Sequence, residues 1–469
     1  MRQSPIVYLL FFFSGITALT YEIVWTRMLT LVFGHTVFSV SVVLAAFMAG
    51  LGLGSYLFGY AVDRLPEING SSSGSKAPSA LLIYGWIEIL IFASGALLSL
   101  LFANFSGLYA SLHSFIPESV PLQNAIKMLF AFGMMLIPTT FMGATLPIIS
   151  KYCVTDDSRM GTQVSLLYAL NTLGAASGCL LTGFFLMGTF GVLQTVLLAA
   201  GANLLIGISA LSIYLEIAPG ADWKFRLPPL RIPRIELNAD QKFWMGISFI
   251  CGFTALAYEV LWTRLLVFSI ASTVYSFSMM LTVFLLGIFL GSLLLIPLAS
   301  RIHNIRTALL ILQASTGLYV LGSLYGIESI LSAPWNGYNL TDPAVAFLRY
   351  FKDSAGLMLV PTLLLGMCFP LLIKVVSGGH QNVGKATGQI YSANTLGAIF
   401  GSLCAGFLFL PNLGSQVSLT LVATLNLLTT VLLFRTGNYM TPGVRKGLTV
   451  VFAALILFVN MAIPADLLN

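Results

Sequence analysis

The sequence predicts an all-α integral membrane protein, made of two parallel six-helix repeats plus one extra C-terminal helix, about thirteen membrane helices in all. Three observations lead there. Charged residues make up only 8% of the chain, and hydrophobic residues 58%, where a soluble domain carries about 25% charge. The apolar runs are continuous and long enough for helices, not the short alternating segments of a membrane β-barrel. Finally, the stretch TALTYEIVWTR (17–27) returns as TALAYEVLWTR (254–264), with eight of eleven positions identical.

The expected spans lie near 5–33, 36–61, 79–102, 123–150, 162–188, 191–216, 242–269, 273–300, 305–331, 346–376, 386–410, 414–435 and 447–464. A backbone in lipid has no water to bond, so these runs must be helical wherever protein does not shield them. The first run has no small-residue cleavage site and reads as a retained helix. The Ser/Gly-rich stretch PEINGSSSGSKAPS after the second span reads as a flexible loop.

The repeat extends well beyond the opening motif. Tyr21 corresponds to Tyr258 at a shift of 237, and Tyr168 to Tyr391 at a shift of 223. The loop after the second span, which the second half lacks, accounts for most of the difference. Within this register GHTVFSVS matches ASTVYSFS, PTTFMGATLPIISK matches PTLLLGMCFPLLIK, and YALNTLGAASG matches YSANTLGAIFG. The domain organisation is therefore a first repeat over 1–217, a basic, proline-rich cytoplasmic linker over 218–241, a second repeat over 242–436, and a further helix over 437–469. That last segment includes a possible junction to a soluble domain.

Orientation follows from the basic residues. Alternate loops, together with Arg2, hold 17 of the 22 Lys and Arg residues, which places the N-terminus in the cytoplasm. The same bias explains the net charge of +6, so no nucleic-acid partner is implied. The linker's basic residues suit the anionic inner leaflet. Six helices per repeat is an even number, so both halves insert with the same polarity. Major facilitator transporters arrange their two halves in this way. At the end of the second span, Gly59 to Arg64 (GYAVDR) resembles the start of the signature loop of those transporters.

Charge inside such spans is rare, because an acidic or basic residue at a helix centre costs about 2.5–3.5 kcal/mol on insertion scales. Glu22, Arg27, Glu259 and Arg264 are therefore candidates for a substrate or gating site, with Glu88 as a third membrane carboxylate. Glu and Arg five apart point roughly 140° away from each other on one helix, so each needs a partner elsewhere. Cross-pairs of Glu22 with Arg264 and of Glu259 with Arg27 would satisfy them, serving as a gate, a proton- or cation-linked site or a staple between halves. The repeat position of Glu88 holds Gln313, so the symmetry is broken there, which suits a substrate or proton role better than a scaffold. Lys127, Arg349 and Lys352 read as side chains reaching to the interface.

Glycine pairs four apart let helix backbones approach. They occur at Gly50/Gly54, Gly174/Gly178, Gly287/Gly291 and Gly397/Gly401, and are assigned here to packing between the halves. Tyr168, Asn171, Tyr391 and Asn394 read as polar helix contacts or as lining of a cavity. The five cysteines lack zinc-type spacing, and the four histidines lie far apart at segment edges. No metal and no cofactor is expected, and no catalytic constellation is visible.

The motifs YE(I/V)xWTR, GATLP and YxxNTLGAxxG resemble the membrane part of bacterial fused major facilitator/spermidine synthase-like proteins. The likeness runs over nearly the whole chain. It implies a multi-pass protein of the bacterial inner membrane and a transporter-like module, with a polyamine or other small organic cation as substrate. It also implies a soluble aminopropyltransferase-like domain, fused or separate, as partner; AIPADLLN at the chain end resembles the junction before that domain. The alternative reading is a non-transporting anchor for such a catalytic domain, or a subunit of a larger membrane assembly.

Overall fold

The computed structural model describes residues 5–33, 37–62, 68–69, 76–77, 79–104, 120–154, 160–217, 238–270, 274–298, 301–327, 343–377 and 383–436. The first half comprises α1 (Pro5–Phe33), α2 (Val37–Val62), α3 (Ser79–Ala103), α4 (Val120–Cys153), α5 (Met160–Leu181) and α6 (Val192–Ile217). The second comprises α7 (Ala239–Ile270), α8 (Val274–Leu298), α9 (Ile305–Tyr325), α10 (Pro343–Ser377), α11 (Val383–Leu403) and α12 (Leu410–Thr436). Within the Ser/Gly-rich loop, β1 (Ile68–Asn69) pairs antiparallel with β2 (Lys76–Ala77).

Eleven stretches among the described residues are long and apolar enough to cross a membrane, not thirteen. Two of the expected spans fall in one continuous segment, Gly384–Thr436, of 53 residues. That is over twice the roughly 20 residues one crossing needs, and the segment breaks at Gly414, where φ is 73°. A side chain rarely adopts that backbone conformation, which explains the glycine. The expected span at 447–464 and most of the linker at 218–241 lie outside the described residues, as do Asp63 and Arg64.

Helix packing repeats with a shift of six. In the first half α2 packs on α4, α1 on α5 and α6, and α3 on α4 and α6. In the second half α8 packs on α10, α7 on α11 and α12, and α9 on α10 and α12. The main contacts between halves are α2 with α11 and α5 with α8, which are themselves related by the same shift. Prolines recur in register too: Pro138 and Pro147 in α4, Pro361 and Pro370 in α10. A helical proline releases the carbonyl four residues earlier. For Pro370 that carbonyl belongs to Gly366, and the Ser292 hydroxyl of α8 donates to it at 3.0 Å.

The four glycine pairs pack inside the halves, which corrects their assignment to the seam. A Cβ added at Gly50 would stand 1.7 Å from the Thr139 hydroxyl of α4, and at Gly54 1.8 Å from the Thr140 carbonyl. Gly174 and Gly178 face Phe12 and Ile16 of α1. Gly287 and Gly291 face Thr362 and Leu363 of α10, and Gly397 and Gly401 face Phe249 and Phe253 of α7. The spacing marks close approach but does not name the partner. On α2, positions 50 and 54 share one face, while Gly52 and Gly59, seven apart, share another. It is this second face that meets α11: Gly59 packs against Gly388 and Gly52 against Thr395. The Gln389 amide also donates to the Tyr60 hydroxyl across the seam at 2.5 Å.

Overpacking a tight contact costs typically about 1–3 kcal/mol. Gly54→Ala and Gly291→Ala should each lower the melting temperature of the detergent-purified protein. Gly133→Ala, whose new Cβ meets nothing within 4 Å, should leave it unchanged in the same thermal-shift assay.

Candidate functional site

The duplicated motifs converge on one cavity of about 190 Å³ along the seam. Its lining comes largely in repeat-related pairs: Leu19 with Leu256, Glu22 with Glu259, Phe47 with Phe284, Tyr168 with Tyr391, Asn171 with Asn394, and Thr172 with Thr395. The pairing follows from the packing. α1 and α7 bring the acids, α2 and α8 the phenylalanines, and α5 and α11 the Tyr–Asn–Thr turns. The tyrosines and asparagines expected as polar contacts or lining thus all face the cavity. Asn394 does both, since its amide also donates to the Ser248 carbonyl of α7 at 3.1 Å.

The two glutamates are buried, 3% and 7% exposed, and both line this one cavity. No lysine, arginine or histidine lines the cavity. The expected cross-pairs are not seen at the cavity, whose lining holds both glutamates but neither Arg27 nor Arg264. Arg27 is half-buried and Arg264 exposed. Each arginine lies five residues further along its helix and points away from its own glutamate's face. Removing an ion from water costs several kcal/mol unless a partner compensates it. Two acids thus share a cavity whose lining carries no fixed base.

Aromatic rings complete the walls. Tyr168 and Phe369 lie 4.6 Å apart centre to centre, and Phe369 and Tyr391 5.7 Å. Such faces attract cations when water is excluded. The volume lies below the about 300–1,000 Å³ typical of pockets for drug-sized ligands. Among the described residues no three His, Cys, Asp or Glu side chains gather as a metal site.

Glu88 does not belong to this cavity. It is fully buried in α3, inside the first half. The Ser14 hydroxyl of α1 donates to its Oε1 at 2.6 Å, and the Asn203 amide of α6 to its Oε2 at 2.6 Å. The second half carries the same knot in neutral form. There the Gln313 amide of α9 donates to Cys251 Sγ of α7 at 3.0 Å and its oxygen accepts from Asn426 of α12 at 2.5 Å. The Tyr258 hydroxyl closes the set by donating to Asn426 Oδ1 at 2.9 Å. In the first half the corresponding Tyr21 hydroxyl and Asn203 Oδ1 are buried without partners among the described residues. Position alone gave Glu88 its depth but not its direction, so the sequence grouped it with the cavity acids. Asn203 and Asn426 were missed, although they are polar residues in apolar runs at matching repeat positions. Asp353 of α10 was also missed; it is fully buried.

No protein-family model matches the chain. Polyamine aminopropyltransferase 1 of Streptomyces coelicolor is 26% identical over 215 residues, 44% of this chain and 37% of that protein. Polyamine aminopropyltransferase 2 of the same organism is 26% identical over 182 residues, 38% of this chain and 31% of that protein. The chain thus matches about a third of the length of these curated relatives. Among solved structures, a bacterial homologue of the iron transporter ferroportin in its outward-facing state superposes with a TM-score of 0.59 at 13% identity, covering 93% of this chain and 99% of that one. The human organic anion transporter MFSD10 gives 0.53 at 13%, over 92% and 100%. The proton:xylose symporter XylE gives 0.53 at 12%, over 92% and 95%. The fold is of the major facilitator type.

A net hydrogen bond is worth about 0.5–1.5 kcal/mol. Tyr258→Phe should therefore lower unfolding stability by about 1 kcal/mol, while Tyr21→Phe should leave it unchanged or raise it. Paired thermal or denaturant unfolding of the two variants reads this difference.

Proposed function

We propose that the chain is a transport module of the major facilitator type whose cavity admits a small organic cation, with a slender amine of the polyamine class as the favoured guest. One observation carries the reading: Glu22 and Glu259 share a cavity of about 190 Å³ with aromatic walls and no basic lining residue. An ammonium group between them would replace the missing counter-charge and stack against the rings. The narrow volume favours a linear chain over a bulky one. The similarity to aminopropyltransferases supports the same substrate class. In this reading the N-terminus lies in the cytoplasm of a bacterial inner membrane, and the seam between α2 and α11 and between α5 and α8 is where the halves rock. Arg27 and Arg264, beyond the acids on α1 and α7, would stand at the cavity's approach as gating charges.

A second reading is favoured by the same curated similarity. The helices would anchor an aminopropyltransferase-like domain at the membrane without moving a solute. Assembly with other membrane subunits is a variant of that reading.

Uptake of radiolabelled spermidine into proteoliposomes separates them. Transport predicts saturable uptake that falls at least about tenfold in Glu22→Gln and in Glu259→Gln, equivalent to roughly 1.4 kcal/mol of lost stabilisation. Folded wild-type protein with no uptake, but with tight binding to a soluble aminopropyltransferase, would establish the anchor instead.

A further inference from the structure

We propose that Glu88 is an internal proton site, taking up and releasing one proton inside the first half and apart from the central cavity. The site has no fixed counter-charge. The groups around its carboxyl are Ser14 and Tyr21 from α1, Tyr84 from its own helix and Asn203 from α6, with Cys153 of α4 beside Tyr84. The side chains that bond its carboxyl, Ser14 and Asn203, are both neutral. A carboxylate so enclosed is neutralised by a proton unless a cation reaches it.

The geometry accommodates both forms. With the carboxylate ionised, the Ser14 hydroxyl donates to Oε1 across 2.6 Å. A proton arriving from water forms an O–H bond at Oε1, and the same short contact then runs the other way, from Oε1 to Ser14 Oγ. The serine hydroxyl turns to its own helix, as such hydroxyls commonly do. Asn203 keeps its bond to Oε2 in both forms. The Tyr21 hydroxyl is buried without a hydrogen-bond partner among the described residues, and the Tyr84 hydroxyl stands at the carboxyl itself, so both are donors that the ionised form can use and the neutral form can release. The second half lacks this reserve. Gln313 replaces the acid, Leu309 stands in the register of Tyr84, and the Tyr258 hydroxyl is committed to Asn426. The half with a titratable group is also the half with an unused hydroxyl.

Infrared difference spectroscopy between acidic and alkaline buffer, in light and heavy water, tests this on the full chain. The background is the Glu22→Gln, Glu259→Gln double variant, which silences the cavity acids. A protonated-carboxyl band that bleaches as pH rises is expected, and adding Glu88→Gln should abolish it. The Gln variant should fold, because Gln313 already fills the equivalent knot. Absence of the band at any pH, or its persistence in folded Glu88→Gln protein, would overturn the proposal. Should that variant not fold, Glu88→Asp replaces it: a shifted band supports the site, and an unshifted one overturns it. The readout does not depend on solute transport, so it stands or falls separately from the proposed function.

Discussion

The close approach of helix backbones within each half is the contact on which the rest depends. Lipid offers no hydrophobic drive for one helix to leave it for another, so association relies on dense packing and a few polar bonds. Glycine supplies the density: α1 lies on the backbone of α5 at Gly174 and Gly178, and α7 on that of α11 at Gly397 and Gly401. These contacts fix the rotation of α1 and α7 about their axes. Were either helix free to turn, its glutamate would swing toward lipid, where it has no partner. The acidic cavity is thus a product of glycine contacts that never touch it.

The seam is built differently. Gly59 and Gly388 bring α2 and α11 together, with one hydrogen bond from Gln389 to Tyr60 beside them. Each half also has its own polar knot joining its first, third and sixth helices. Motion between halves can therefore leave both knots intact. Both have one plan but differ in charge: a carboxylate with a spare hydroxyl in the first half, a closed amide–thiol set in the second. Duplication set the scaffold, and later substitution made the halves chemically unequal.

Much of this was legible in the sequence because the signals were one-dimensional. Apolar run length located the twelve described helices to within a few residues, and the two register shifts paired the halves. The helices meeting at the seam, α2 with α11 and α5 with α8, are related to each other by that symmetry. What failed was direction around a helix. Gly50 and Gly54 revealed a close contact but not that α4 makes it. Glu22 and Glu88 look alike as acids in apolar runs, yet one faces the axis and the other the interior of a half. The Glu–Arg cross-pairs assumed that every buried charge finds an opposite one, whereas no basic residue lines the cavity that holds these acids. The count of apolar stretches is lower than expected because the two spans on either side of Gly414 form one continuous stretch and the expected span at 447–464 lies outside the described residues.

One feature also bears on ancestry. After α5 the chain makes a π-helical turn at Thr182–Leu186, and after α11 another at Cys404–Phe409. The shift of 223 that relates these helices carries the first turn onto 405–409, inside the second. A π turn arises when one residue is inserted into an α-helix, and it rotates all that follows by about 100°. Two independent insertions at the same place would be a coincidence. The π turn is therefore part of the plan shared by the two halves, kept at matching positions although the neighbouring side chains differ.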